Sequence, residues 1–414
     1  MAKVNKVKMM SNEDKLAKLD EVFSPTAPIE KRDLFYGRLG QLNDLYSALK
    51  QRGAHAVLYG DRGVGKTSLA NMAMTVFPDV ISSKVTCNRT EDFKGLWSEA
   101  LKKIRFYSDK KGIGFNAEIR QEAVQLDLFL PEKDEIDSAD IQHVFENLSN
   151  RLLIIFDEFD SITKDETKTR MADTIKALSD NVPNITILIV GIAGDVNNLL
   201  GEHPSLERCL VQIQMPRMSD EELAQIIDNG LKRLELEIIQ NVKEKIIEYS
   251  SGFPNYTHAI CKSAALYAIN SESNTVSIEH FTYAVKKCIQ TTSQSLRNSY
   301  QKSIISSKGP SHFEEVLAAC ALAELDEYNC FTNSGALSHF KGKKKKGKST
   351  MTTTDLRYYL EGLCKEEKGR ILEKIGQGSN IRYQFVNPMM RAFIRLKIYD
   401  KRIEANKVLP QLGV

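Results

Sequence analysis

The nine residues Gly60-Asp61-Arg62-Gly63-Val64-Gly65-Lys66-Thr67-Ser68 constrain the fold of this chain more than any other stretch. They fit the pattern G-x-x-x-x-G-K-[ST], with Gly60, Gly65, Lys66 and Thr67 at its fixed positions. Before them, Ala54-His55-Ala56-Val57-Leu58-Tyr59 is a short apolar run, as a buried strand would be. After them, Ser68 to Met74 suits a helix whose N-terminus faces the loop. An ordinary glycine-rich turn would account for the glycines but not for both flanks. In the strand–loop–helix reading the glycines let backbone N–H groups turn inward onto phosphate oxygens. Lys66 adds a point charge for the β- and γ-phosphates, and the Thr67 hydroxyl is a ligand for Mg²⁺. The whole segment, Gly60, Asp61, Arg62, Gly63, Val64, Gly65, Lys66, Thr67 and Ser68, is thus expected to line a nucleotide, with ATP and Mg²⁺ as the ligands.

A second motif supplies the other half of such a site. Leu152-Leu153-Ile154-Ile155-Phe156 is continuously apolar, the pattern of a strand buried on both faces of a parallel sheet, and it ends in Asp157-Glu158. An Asp at that strand end can hold Mg²⁺ through water, and Glu158 can orient and deprotonate an attacking water. An acidic strand end that merely caps a helix would look the same in isolation; the preceding phosphate loop is what favours the chemical reading. Asp160 reads as an ordinary exposed loop acid, or else as a residue supporting the site from behind.

Further strands are expected at Ile81–Cys87 and Ile185–Val190, with helices after Gly40, over Asp92–Phe106, from Ser138 and over 169–178. Alternating strands and helices predict an α/β fold, a doubly wound parallel sheet over about 30–215, with ligands at the C-terminal strand ends. Residues 108–137 are polar and read as an irregular surface insertion. From Ser219 the pattern turns helical to about residue 292; the Ser/Gln/Lys-rich stretch 293–310, with Gly309-Pro310, reads as a linker. Then helical spacings at Phe313–Cys320 and Leu356–Leu363 precede two alternating runs, Ile371–Ile375 and Ile381–Phe385, that predict a β-hairpin. Helices followed by a hairpin are the pattern of a winged helix.

Composition narrows the class. With 42% hydrophobic and 27% charged residues the chain reads as a soluble globular protein. No apolar run approaches the roughly 20 residues of a membrane span. The basic start Met1–Met10 has no apolar core behind it, so neither a signal peptide nor a membrane partner is expected, and the location reads as cytoplasmic. The seven cysteines form no C-x-x-C and are expected to be reduced core thiols. The net charge of +3 is uneven: residues 301–414 hold 20 Lys+Arg against 12 Asp+Glu. Six of those lysines lie together at Lys341, Lys343, Lys344, Lys345, Lys346 and Lys348. They are either contacts to DNA phosphates, which would make binding salt-sensitive, or a solvated loop. Arg357, Arg370, Arg382, Arg391 and Arg395 would extend a basic surface.

Taken in order, these motifs resemble AAA+ P-loop ATPases of the origin-recognition/initiator-like group, which borders on signalling NTPases. The resemblance is carried by Leu34-Phe35-Tyr36-Gly37-Arg38, the phosphate loop, Phe156-Asp157-Glu158-Phe159-Asp160 and Val190-Gly191-Ile192-Ala193-Gly194-Asp195. His203-Pro204-Ser205-Leu206-Glu207-Arg208, Gly252-Phe253-Pro254-Asn255-Tyr256-Thr257-His258 and Tyr383-Gln384-Phe385-Val386-Asn387-Pro388 complete it. It implies an N-terminal arm (1–30), an α/β nucleotide-binding domain (31–217), a helical lid (218–292), a linker (293–310) and a winged helix (311–405). It also implies that Gly37 and Arg38 sit against adenine and that Asp195 senses the γ-phosphate. Arg208 would be an arginine finger acting on a neighbouring subunit, or else a partner of a surface acid such as Glu207 or Glu202. Relatives often carry an arginine at the start of the lid helix at 254–262; here only Asn255, His258 and Lys262 are available. The expected function is Mg-ATP hydrolysis with double-stranded DNA engaged by the winged helix, in a homo-oligomer or with a partner protein. The alternative is a slow ATP-dependent switch that recruits a protein.

Overall fold

A computed structural model describes residues 10–29, 35–111, 119–192, 197–200, 206–305, 311–340 and 351–408. The chain divides into two compact units: Ala27–Arg217 is one, and the described residues up to Thr26 and from Met218 onward form the other.

The segment read as an arm contains a helix, α1 (Asn12–Val22). Ser11 caps it, its hydroxyl accepting the Asp14 N–H at 3.1 Å. Lys15, Leu19 and Val22 are buried along one side, and Phe23 is fully buried. A Cβ placed on Gly230 would stand 2.4 Å from the Phe23 ring, so only glycine allows this approach.

The α/β unit runs α2 (Leu39–Lys50), β1 (His55–Gly60), α3 (Lys66–Val76), β2 (Ile81–Thr86) and α4 (Phe93–Lys102). It continues β3 (Arg105–Lys111), β4 (Ile119–Gln125), α5 (Ser138–Phe145), β5 (Leu152–Asp157), α6 (Asp165–Asn181), β6 (Ile185–Ile192), α7 (Asn197–Leu200) and β7 (Leu210–Met215). Five strands form one parallel sheet in the order β2-β5-β6-β1-β7. All six residues of β5 are buried, which is why that strand reads as an unbroken apolar run. Trp97 on α4 is fully buried and meets Phe156 of β5 edge-on, with ring centroids 5.3 Å apart. The sheet therefore brings Gly60, Asp157, Ile192 and Met215, the last residues of β1, β5, β6 and β7, to one edge.

The expected irregular insertion is in part regular. β3 and β4 pair antiparallel from Arg105↔Gln125 to Lys111↔Ile119. Their polar sequence lacks the apolar alternation that marks a strand with one buried face.

His55 opens β1 and is fully buried; its Nδ1 accepts the Ile187 N–H at 3.0 Å. Burial pushes its pKa down from 6.5 to about 4. The unfolded chain therefore takes up a proton near pH 6.5 that the folded one refuses until about pH 4. The stabilisation is complete above the first value and is lost as pH falls through that window, by about 3 kcal/mol. Urea denaturation at stepped pH is expected to show this loss, and His55→Asn, which cannot titrate, to flatten it.

The second unit continues α8 (Asp220–Arg233), β8 (Glu237–Ile238), α9 (Gln240–Ser250), α10 (Pro254–Asn270), β9 (Thr275–Val276) and α11 (Ile278–Thr291). The Ser219 hydroxyl and the Glu222 carboxylate form a capping box that starts α8. The expected linker is instead largely α12 (Gln294–Ile304), which buries Leu296 and Tyr300, one helical turn apart. Residues 306–310 lie outside the described ones. Then come α13 (Phe313–Leu322), α14 (Asn333–Ser338), α15 (Thr353–Leu363), β10 (Leu372–Ile375), β11 (Arg382–Phe385) and α16 (Met389–Val408). β10 and β11 form the expected antiparallel hairpin, and Phe331 bridges to Tyr383 at its side.

All seven thiols are free and six are buried. Among the described residues no helix is long and apolar enough to cross a membrane.

Candidate functional site

The phosphate loop joins β1 to α3; close packing dictates Gly60 and backbone conformation dictates Gly65. A Cβ on Gly60 would lie 2.4 Å from the Met215 carbonyl oxygen of the neighbouring strand. Gly65 holds φ at 99°, a left-handed conformation that glycine adopts without strain, immediately before the first turn of α3. Lys66 is buried, and its ammonium donates to the Gly60 carbonyl at 2.9 Å and the Asp61 carbonyl at 2.8 Å. Burial pushes its pKa down to about 8, against the pull of Asp160, Asp61 and Asp157. Arg62 at the loop's tip is exposed, Val64 is buried, and Gly63 has φ 85°. The Ser68 hydroxyl accepts the Ile29 N–H at 3.1 Å.

Asp157 lies 90 residues further on, yet its Oδ1 is 3.4 Å from the Thr67 hydroxyl. The same oxygen accepts the Glu158 N–H at 3.0 Å. Mg²⁺ prefers hard oxygen donors and keeps several waters. A hydroxyl and a carboxylate converging in this way fit that preference, so Thr67 and Asp157 are residues that could hold it. Glu158 is exposed and has a left-handed backbone, φ 56°. That conformation is uncommon for a residue with a side chain, and such residues cluster at functional sites.

Asp160 is more than an exposed loop acid: its Oδ1 accepts the Ile192 N–H at 2.8 Å, tying the segment after β5 to the end of β6. Gly37 has φ 70° and Arg38 has φ 60°, both left-handed. Arg38 is buried, and its guanidinium donates to the Pro216 carbonyl at 2.5 Å and reaches the Val64 carbonyl at 3.5 Å. Arg208 is 67% exposed and pairs with Asp180 at 2.8 Å; Glu202 lies outside the described residues. Asp195 and the lysines from Lys341 to Lys348 lie outside the described residues.

Two charged residues escaped the sequence reading. Lys84 of β2 pairs with Asp157 Oδ2 at 2.9 Å. Arg217, two residues past β7, pairs with Asp61 Oδ2 of the phosphate loop at 3.2 Å. A charge inside a strand and a charge just beyond a C-terminal strand end were the available signals.

In the second unit, all three residues at the start of α10 are engaged or buried. The Asn255 side chain donates to the Pro25 carbonyl, and Lys262 pairs with Asp20 at 2.7 Å. His258 is buried without a hydrogen-bond partner among the described residues, and burial pushes its pKa down to about 4. Several of the basic residues expected to form a surface are committed locally. Arg391 and Arg395 donate to the Ala321 carbonyl, Arg382 pairs with Asp326, and Arg370 with Glu366 and Glu373. Arg357 pairs with Glu361 on its own helix.

The family model described as "Novel STAND NTPase 1" matches residues 28–259, which contain the whole of this site. No curated protein matches the chain significantly. Among solved structures, the Walker-type ATPase PABY2304 of Pyrococcus abyssi has a TM-score of 0.53 at 17% identity, covering 90% of this chain and 99% of that one. The ORC2 protein of Aeropyrum pernix, in ADPNP–ADP complexes, has 0.48 at 16% identity, covering 94% and 98%. The ORC1 protein of the same organism, in complex with DNA, has 0.46 at 14% identity, covering 92% and 97%. The first of these shows that the fold is shared with a Walker-type ATPase.

Proposed function

The chain belongs to the novel STAND NTPase 1 family of P-loop proteins, and on that premise we propose that it is an ATP-dependent switch with slow turnover. The observation that carries this reading is the convergence of Lys66, Thr67 and Asp157 at one sheet edge. ATP phosphates would lie along the backbone of Gly60–Ser68, and Lys66 would exchange its bonds to the loop carbonyls for bonds to phosphate. Thr67 and Asp157 would hold Mg²⁺, which when bound neutralises charge on the transferring phosphoryl group. Glu158 would orient the attacking water and accept its proton. Gly37 and Arg38 would line the adenine side, and Asp195 would read the γ-phosphate.

Slow turnover is supported by two features. The start of α10 carries no arginine in the sequence, and Arg208 sits in a surface ion pair. Such a pair is worth under about 1 kcal/mol, so Arg208 can be recruited to ATP held by a second copy. Isolated protein is expected to hydrolyse ATP at about 3 × 10⁻⁴ to 10⁻² per second, the range from P-loop NTPases with no arginine finger to those with one in cis.

A second reading is favoured by charge. Helices followed by the β10–β11 hairpin fit a winged helix, and the lysines at 341–348 supply most of the basic excess of residues 301–414. On this reading the region contacts DNA phosphates. Steady-state ATPase with and without double-stranded DNA separates the two. Turnover that stays slow supports the switch; strong stimulation supports a DNA-coupled ATPase. Replacing all six lysines by alanine is then expected to flatten the salt dependence of DNA binding.

A further inference from the structure

Lys84 stands in β2, among Ile81, Ser82, Ser83 and Val85, beside the strand that carries Asp157. Its ammonium lies 2.9 Å from Asp157 Oδ2 and donates to Asn71 Oδ1 on α3 at 2.7 Å. The two charged side chains are 17% and 4% exposed, so water screens the pair weakly. The other carboxylate oxygen already takes the Glu158 N–H and faces the Thr67 hydroxyl. Asp157 thus has a resident cation built into the neighbouring strand. A divalent ion shared by Thr67 and Asp157 would compete with that ammonium for one carboxylate and be repelled by it.

We propose that Lys84 is the internal counter-ion of Asp157, and that it sets a low affinity of the nucleotide site for its divalent cation. The proposal rests on the reading of this site as a Mg-nucleotide site. Lys84 is a positioning residue: it holds the carboxylate in place and weakens the cation's grip without touching the substrate. Nucleotide could then stay bound by the phosphate loop while the cation exchanges.

The test uses full-length protein, fluorescent mant-ADP, and Mn²⁺ followed by electron paramagnetic resonance. Lys84→Met is expected to tighten Mn²⁺ at the mant-ADP-loaded site by about tenfold, and Lys84→Arg to remain near wild type. Metal-free mant-ADP affinity is expected to change by less than about twofold in both. Unchanged or weaker Mn²⁺ binding by Lys84→Met, with a lowered unfolding temperature, would reduce Lys84 to a tie between strands and overturn the proposal. Should Lys84→Met not fold, Asn71→Ala leaves the ammonium to Asp157 alone and is expected to loosen Mn²⁺ about threefold; no change there overturns the proposal equally. Failure of wild type to bind mant-ADP at all is a separate result, which would remove the nucleotide reading and the proposal with it.

Discussion

Lys66→Ala is expected to weaken ATP binding by at least about a hundredfold, because charge-assisted hydrogen bonds to phosphate contribute about 1.5–3 kcal/mol each. The ammonium is buried at the base of the loop and bonds to the Gly60 and Asp61 carbonyls, so the cation is already in place for an incoming polyanion. Burial also lowers its pKa to about 8, so it remains mostly charged at neutral pH, and a bound phosphate would hold it charged. Truncation removes that charge while leaving the strand and helix on either side intact. Isothermal titration with ATP reads the effect, and an unchanged circular dichroism spectrum shows that the fold survives. Wild-type affinity in Lys66→Ala would mean that ATP binds elsewhere.

Glu158→Gln is expected to separate binding from chemistry. The side chain is exposed and accepts no hydrogen bond among those described, so the amide costs the fold little. An amide cannot take the proton of the attacking water, and loss of a general base typically costs about 10²- to 10⁴-fold in rate. ATP affinity should stay within about threefold of wild type, since the phosphate contacts are untouched. Equal hydrolysis by Glu158→Gln and wild type would remove Glu158 from the mechanism.

The parts of the fold legible in the sequence were those whose physics is local. β1 and β5 show as apolar runs because a central parallel strand is covered on both faces, and β5 is buried at every position. The glycines of the loop show because their conformations are compatible with few other residues. The β3–β4 ribbon did not show, since its polar sequence carries no apolar alternation. α12 was hidden because only Leu296, Tyr300 and Ser303 are buried on a polar helix whose composition is that of a linker.

The same distinction holds at the site. The Gly60–Ser68 loop and Asp157-Glu158 are contiguous motifs, readable at fixed spacing. Lys84 and Arg217 are not, because each meets its partner through the sheet: Asp157 is reached across the β2–β5 pair, and Asp61 across the β1–β7 pair. Their spacing in the chain carries no trace of that adjacency. Arg208 was seen, but its surface partner Asp180 on α6 could not be chosen from neighbours in sequence.

A slow switch of the proposed kind holds ATP at the Gly60–Ser68 loop and consumes it slowly there. The most direct measurement is a single-turnover experiment with protein in excess over radiolabelled ATP, following nucleotide retained on the protein and phosphate released. The expected result is prompt retention of ATP, with conversion to ADP over minutes and the ADP still bound. Conversion with a rate constant of several per second, or no nucleotide retained with the protein in excess, would contradict it.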